Sequence, residues 1–375
     1  MLTRVGISTA RRASEITVSL RYPTARYRFR EPLMSRVLFP LLAAAVLANS
    51  CSTFAADDAP KPAEKKQKRT IFISPDDAGD DYPLQGEYSG TVKAGDREIK
   101  LGVQVIALGD GKFRAVAYPG GLPGDGWKKE LLKYQAEAKR DGDAIRFSLL
   151  GQGSGELTSS GIVIQNAEGA KIGDIPKVHR KSPTLGKKPP KGAVVLFDGS
   201  TVEHFKGGRM SDDKLLMEGA TSKELFGSFK LHLEFRLPFK PHARGQARGN
   251  SGLYMQGRYE TQILDSFGLE GKNNECGGVY SISDPSLNMC LPPLVWQTYD
   301  VDFTAAKYDD SGKKTENARM TVLLNGVKVH DNLELPRGTT AHPVKESPEP
   351  GPVYLQNHGN PVRFRNIWVL PTDRQ

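Results

Sequence analysis

Glu260 and Asp265, in the run YETQILDS (259–266), are the carboxylates whose spacing best suits proton transfer. A general acid or base must be an ionisable side chain fixed within hydrogen-bond reach of the proton it moves. Side chains two apart in an extended chain share a face, so Glu260 and Gln262 point the same way. Asp265 points the other way unless a bulge intervenes. His358, in the turn HGNP (358–361), is a further candidate acid or base. Side chains suited to binding hydroxyl groups surround these. Asn250, Tyr254 and Gln256 alternate along one strand face, Gln356 precedes His358, and Arg363 and Arg365 share a face of the last run. Trp296 offers a flat apolar surface for stacking. Each has a plainer role beside the chemical one: a solvated strand carboxylate for Glu260, a turn-capping Asp for Asp265, core packing for Trp296.

The elements that must position these residues read as strands. Alternation of apolar and polar residues is clear at 229–237, 251–257, 259–266, 296–303, 318–332 and 362–370. Asn325-Gly326 between two alternating runs is a strong hairpin signal. In the final run the period of two places Phe364 and Trp368 in the core. An earlier stretch, 71–180, also reads as short strands, at 86–92, 99–107, 113–118, 144–149 and 161–164, with one helical patch at 128–139. A basic, Pro-rich linker at 181–191 separates the two. No βαβ rhythm appears, so the fold class is all-β: a two-sheet sandwich or jelly roll over 192–375, preceded by a small β-rich domain.

The net charge of +9 invites a nucleic-acid reading, and its distribution removes it. Residues 1–69 hold 13 Lys and Arg against 5 Asp and Glu, whereas 70–375 hold 39 against 38. A nearly neutral folded part gives no electrostatic footprint for nucleic acid. The excess sits in a leader and a Lys-rich linker at 56–70. From Met34, Arg36 precedes the apolar run 37–47, and Thr53-Phe54-Ala55 supplies small residues for cleavage, the pattern of an export signal. That predicts a periplasmic or extracellular protein with no transmembrane span after processing. Residues 1–33 lie upstream of a complete signal, as an early start codon would produce. Cys51 gives a lipoprotein variant of the same reading. In an exported chain the remaining cysteines, Cys276 and Cys290, are expected to form a disulfide. No phosphate-binding loop, paired-His zinc helix or nucleophile elbow is present. A divalent metal in the cleft is compatible with the carboxylate, Asn and His content, but no ligand spacing specifies one.

Six blocks in order, LFDGST (196–201), FGSFKLHLEFRLP (226–238), GNSGLYMQGRYETQILDS (249–266), WQTYDVDFTAAKYD (296–309), ARMTVLLNGVKVHDN (318–332) and GPVYLQNHGNPVRFRNIWV (351–369), resemble the 3-keto-disaccharide hydrolase family. The resemblance spans about 192–372. It implies a concanavalin A-like, glucanase-like jelly roll and cleavage of 3-keto-glycosides in carbohydrate breakdown. The chain departs from the family after LFDG, where Glu203-His204-Phe205 and a short GGRMSDDKLLMEG (207–219) replace the usual Gly-Trp and hairpin.

That activity would use the ketone at C3 to acidify the C2 hydrogen. A base removes it, the C1–O bond breaks by elimination, and water addition completes a net hydrolysis. On this reading Glu260, Asp265 and His358 are the catalytic candidates. Asn250, Tyr254, Gln262, Trp296, Gln356, Arg363 and Arg365 are the substrate-binding candidates. The spacing E-x-Q-x-x-D is similar to the E-x-D-x-x-E active strand of glucanases on this fold, with Gln262 in place of the middle acid. Two other readings remain open: a non-catalytic carbohydrate-binding module on the same scaffold, and an ordinary glycoside hydrolase, which needs a suitably separated pair of carboxylates.

Overall fold

The computed structural model describes residues 71–142, 144–149 and 153–372. The export-signal features, Cys51 and the linker 56–70 lie outside the described residues. Among the described residues there is no α-helix, only three single-turn 3-10 segments at Pro75–Asp77, Tyr82–Leu84 and Gly245–Ala247. Among the described residues no helix is long and apolar enough to cross a membrane.

The first part carries ten strands: β1 (Gly86–Ala94), β2 (Arg97–Gly109), β3 (Lys112–Pro119), β4 (Leu122–Pro123), β5 (Gly126–Trp127), β6 (Tyr134–Lys139), β7 (Ile145–Leu149), β8 (Gly153–Leu157), β9 (Gly161–Gln165) and β10 (Lys171–Val178). Eight pair antiparallel in the order β6-β3-β2-β1-β10-β9-β8-β7. The two ends of that row, β6 and β7, are consecutive, and Asp141 and Ala144 between them exchange both backbone hydrogen bonds. The row therefore curls into a near-closed barrel. The helix expected at 128–139 is not formed, because residues 134–139 are β6. Ala136 and Ala138 turn inward, Gln135 and Glu137 outward, and the strand pairs along β3. Helix propensity, tenths of a kcal/mol per residue, is small beside completing a barrel wall.

The second part carries β11 (Val194–Phe197), β12 (Phe205–Lys206), β13 (Leu216–Met217), β14 (Ala220–Phe226), β15 (Phe229–Arg236), β16 (Ser251–Met255), β17 (Tyr259–Ile263), β18 (Trp296–Thr304), β19 (Lys307–Tyr308), β20 (Lys314–Glu316), β21 (Ala318–Leu324), β22 (Val327–Leu335), β23 (Gly351–Leu355) and β24 (Arg363–Pro371). They form a β-sandwich. One sheet runs β11-β24-β15-β18-β21-β22, with β13 also on β24, and the other runs β12-β14-β23-β16-β17. Leu231, Leu233 and Phe235 alternate inward from one sheet and meet Leu253, Met255, Tyr259, Ile263, Val353 and Leu355 of the other. Each such buried side chain contributes about 1.5–3 kcal/mol. Asn325 (φ 52°) and Gly326 (φ 78°) make the expected tight hairpin between β21 and β22.

The face assignment on β24 needs correction. Opposite β15, His232 faces Trp368 and Glu234 faces Arg365, so β24 carries one extra residue there. Asn366 absorbs it at φ 47°. The bulge sends Ile367 and Val369 into the core and leaves Trp368 on the outer face, stacked on His232 at 5.5 Å.

That outer face is covered by the 181–191 segment, which acts as a strap. Thr184 donates to Asp300 Oδ2 (2.7 Å), Lys187 Nζ to Asp300 Oδ1 (2.8 Å), and the Gly186 N–H to Glu234 Oε1. Beneath it His232 Nδ1 lies 2.9 Å from Asp300, and its Nε2 lies 3.7 Å from Glu234. Burial alone would push the His232 pKa down, but Asp300 and Glu234 more than offset this and raise it. Burial likewise pushes both carboxyls up. It is outweighed by His232 and Lys187 for Asp300, and by His232, Asn366, Gly186 and Arg365 for Glu234, so both fall to about 2. A depressed carboxyl contributes stability that is present above its unfolded pKa and lost as pH falls through the folded one. Unfolding monitored by tryptophan fluorescence should show stability dropping between about pH 4 and pH 2. Asp300→Asn should remove roughly 2 kcal/mol of that acid-dependent part. An unchanged pH slope in the variant would refute the assignment.

Candidate active site

The five-stranded sheet buries one face in the sandwich and turns the other outward. On β17, Tyr259, Thr261 and Ile263 face the core, which fixes Glu260 and Gln262 on the outer face. On β16 the same parity turns out Gly252 and Tyr254, and beside them on β23 it turns out Tyr354, with Gln356 just past the strand end. The register sets Glu260 opposite Tyr254 and Tyr254 opposite Tyr354, making one row across three strands. The free edge of β17 is covered by the loop at 277–280, whose backbone hydrogen-bonds Glu260 and Gln262.

Glu260 is 3% exposed. Its Oε2 accepts from Tyr254 Oη at 2.8 Å, and Tyr254 Oη accepts from Gln356 Nε2 at 3.1 Å. The carboxylate lies over Gly252: a Cβ there would sit 2.3 Å from Glu260 Oε1, so only glycine leaves room. No Lys, Arg or His pairs with Glu260 among the described residues. Burial therefore dominates and pushes its pKa up to about 7, against the lowering effect of the Tyr254 hydrogen bond. Burial and the adjacent carboxylate hold the Tyr254 hydroxyl protonated. Gln246 accepts from Asn250 Nδ2 (3.0 Å) and from Gln262 Nε2 (3.1 Å), tying both amides to one point. Two buried amide oxygens, Asn250 Oδ1 and Gln356 Oε1, have no donor among the described residues. Such groups are costly unless something donates to them.

The structure thus brings together Glu260, Tyr254, Gln262, Asn250 and Gln356, and places the other candidates elsewhere. Asp265 follows β17 with the opposite parity. Its carboxylate is engaged by Arg248 Nε at 2.6 Å, both side chains buried. His358 is exposed on the turn beyond Gln356. Trp296 and Arg365 lie on the outer face of the other sheet, with the guanidinium 4.0 Å above the indole and Arg365 also bonded to Glu234. Arg363 is buried against Glu218 (3.2 Å). Gln256 has left the strand for a turn (φ 53°), where its amide bonds the Phe226 carbonyl. Cys276 and Cys290, expected as a disulfide, are free buried thiols that hydrogen-bond one another. Each has a further partner, the Tyr299 hydroxyl for Cys276 and the Leu264 carbonyl for Cys290. Among the described residues no three His, Cys, Asp or Glu side chains gather as a metal set.

The sequence reading missed Gln246 and Tyr354. Tyr354 was accessible, since Tyr354 and Gln356 alternate with core-facing Val353 and Leu355. Gln246 sits in the single-turn segment at 245–247, where no periodicity speaks.

A carboxyl titrating near neutrality, walled by amides and phenols, is equipped for proton transfer on a hydroxyl-rich molecule. Residues 192–370 match the family model of the 3-keto-alpha-glucoside-1,2-lyase-like domain. This part of the chain is such a domain. Among solved structures, two from Parabacteroides distasonis ATCC 8503, each described as a putative glycosyl hydrolase, are similar to it. One, at 2.13 Å resolution, is 29% identical, covering 49% of this chain and 85% of its own, with a TM-score of 0.44. The other, at 1.70 Å, is 18% identical, covering 48% and 95%, with a TM-score of 0.36. No curated protein matches the chain. Glu260, Tyr254, Gln262, Asn250 and Gln356 all fall inside the lyase-like domain, and the barrel precedes it.

Glu260 and Asp265 make opposite predictions within the lyase-like domain. An acid whose folded pKa lies above its unfolded value holds extra protons in the folded state. Its cost is therefore absent below about pH 4.5 and complete above about pH 7. Glu260→Gln should raise stability at pH 8 by roughly 3 kcal/mol relative to its effect at pH 4. Asp265→Asn leaves Arg248 buried and unpaired, and should cost about 3–5 kcal/mol across that range. Denaturant titrations at the two pH values test both, and a pH-independent Glu260→Gln effect would reject the burial account.

Proposed function

We propose that the lyase-like domain cleaves the glycosidic bond of 3-keto-glucosides, with Glu260 as the base that takes the C2 hydrogen, and that it does so after export. The observation carrying this is Glu260 itself: buried, with no cation beside it among the described residues, and titrating near pH 7, where a carboxylate is a far stronger base than at its ordinary pKa. The C2–H bond breaks toward Glu260, and its electrons form an enolate with the C3 ketone. The enolate collapses to a C1=C2 double bond as the C1–O bond breaks, and the proton ends on the departing oxygen. Water added across C1=C2 completes a net hydrolysis. Gln262 and Gln356 each keep a second amide hydrogen for the developing enolate oxygen. Asn250 Oδ1 and Gln356 Oε1 would accept from sugar hydroxyls and so lose their unsatisfied state. The export signal at 34–55 supports the cellular placement.

The ordinary glycosidase reading needs a second carboxylate facing the first. The nearest in sequence, Asp265, is committed to Arg248 on the opposite face. Purified protein should release the aglycone from a 3-keto-glucoside and leave the corresponding glucoside intact. Deuterium at C2 should slow release. The rate constant kcat/KM should rise with pH and level off above about 7. Glu260→Gln should lower kcat by about 10²–10⁴, and Tyr254→Phe by a smaller factor with the pH midpoint displaced. Cleavage of the plain glucoside without an isotope effect would instead establish a glycosidase. Sugar binding with no turnover would establish a binding module.

A further inference from the structure

The barrel contains a second recess, remote in kind from the sugar-binding face. Barrel interiors of eight strands are just wide enough either to be filled by side chains or to hold one small molecule. Here the two ends differ. At one end Tyr88, Val105, Phe113, Ile145, Leu157 and Ile175 pack solidly and are sealed from beneath by Ala78, Leu84, Phe239 and Leu294. Toward the other end the inward positions are small: Ala115, Ala117, Ala136, Gly153 and Gly155. The register puts them together, with Ala115 beside Ala136 and Ala117 beside Tyr134. What remains is a cavity of about 380 Å³, with walls that include Val92, Val103, Phe147 and Ile162. Ile99, Tyr134, Ile164 and Ile172 are only partly covered and mark its mouth.

The lining decides the ligand. No Asp, Glu, Lys, Arg or His lines the cavity among the described residues. Three polar side chains do, Tyr134, Ser154 and Gln165, and Ser154 already donates to Gln165 (3.1 Å). A sugar would leave most of its hydroxyls unpaired there, at a cost for each. Water fares little better: the volume would take roughly a dozen molecules, each wanting two to four polar partners. The size lies within the range of small-molecule sites, about 300–1,000 Å³. It is well above the roughly 150 Å³ that suffices for benzene in an apolar cavity. We propose that this barrel is a binding site for one neutral, apolar small molecule of two or three rings or an equivalent hydrocarbon chain. The molecule enters between Ile99 and Ile164 and stops above the Tyr88–Phe113 layer. The site is independent of the Glu260 chemistry.

Titration of the full chain with N-phenyl-1-naphthylamine, a neutral dye that brightens in dry apolar surroundings, tests this directly. The expected result is saturable brightening at one dye per chain, competed by 1-decanol and indifferent to glucose. Ala117→Phe should fill the cavity and weaken binding at least tenfold while the melting temperature holds or rises. If that variant fails to fold, Ala136→Leu, which adds fewer atoms to the same space, gives the same readout. Absence of saturable brightening in the parent would overturn the proposal. So would binding undiminished in a folded, cavity-filled variant, or displacement of the dye by glucose.

Discussion

A buried carboxylate without a cation beside it is among the costliest groups a fold can hold. The architecture around Glu260 is organised to bear that cost. Its two strand neighbours, Tyr259 and Thr261, are fixed in the core, so β17 cannot rotate to release it into water. The 277–280 loop satisfies the backbone along the strand edge that would otherwise fray, and the Glu260 N–H donates to Thr339 Oγ1 at 2.9 Å. Gly252 leaves the space the carboxylate occupies. Among the described residues only the Tyr254 hydroxyl offsets desolvation, and one neutral hydrogen bond, worth about 1 kcal/mol net, is too little to keep the acid ionised well below neutrality. The group therefore titrates near pH 7 instead of paying the full price of a buried charge.

The parts of this arrangement governed by a period of two were legible in the sequence. Strand alternation located both sheets, put Glu260 with Gln262 and Asn250 with Tyr254, and set Asp265 on the opposite face. The Asn325-Gly326 hairpin was readable because its turn needs positive φ at both residues. Misreadings arose where one extra residue or a distant partner decides the matter. The bulge at Asn366 reverses the parity of everything after it, so Trp368 left the predicted core. The 128–139 patch has helix-forming Ala, Glu and Lys, yet β3 offers residues 134–139 a barrel edge worth more than their propensity. Arg363, Arg365 and Trp296 were polar or aromatic in the right way, but nothing local reveals which of two sheets a strand joins.

The 181–191 segment shows how composition can mislead about order. Its Pro and Lys content is that of a solvated linker, and Pro does restrict it. Yet Thr184, Gly186 and Lys187 deliver donors to two carboxylates, Asp300 of β18 and Glu234 of β15, that flank His232. The negative pair needs positive and donating groups over it, and the strap supplies them along with a cover for Trp368. A buried ionic cluster of this kind is weak evidence for net stability against an apolar alternative. Its consequence is positional: it fixes where the barrel's last strand hands over to the sandwich.

The contrast between Glu260 and Asp265 follows from one variable. Both are nearly inaccessible and they stand five residues apart, so burial does not separate them. A guanidinium does. Arg248 reaches Asp265 through Nε while its terminal nitrogens approach the Ala107 carbonyl of the barrel at 3.4 Å. Asp265 is thereby committed to joining barrel and sandwich, whereas Glu260, across the strand, has no cation beside it among the described residues and titrates near neutral pH. Removing Arg248 would therefore make Asp265 resemble Glu260 in environment but not in use. Its face opens on the barrel junction, while the amides and phenols that could receive a sugar stand on the other.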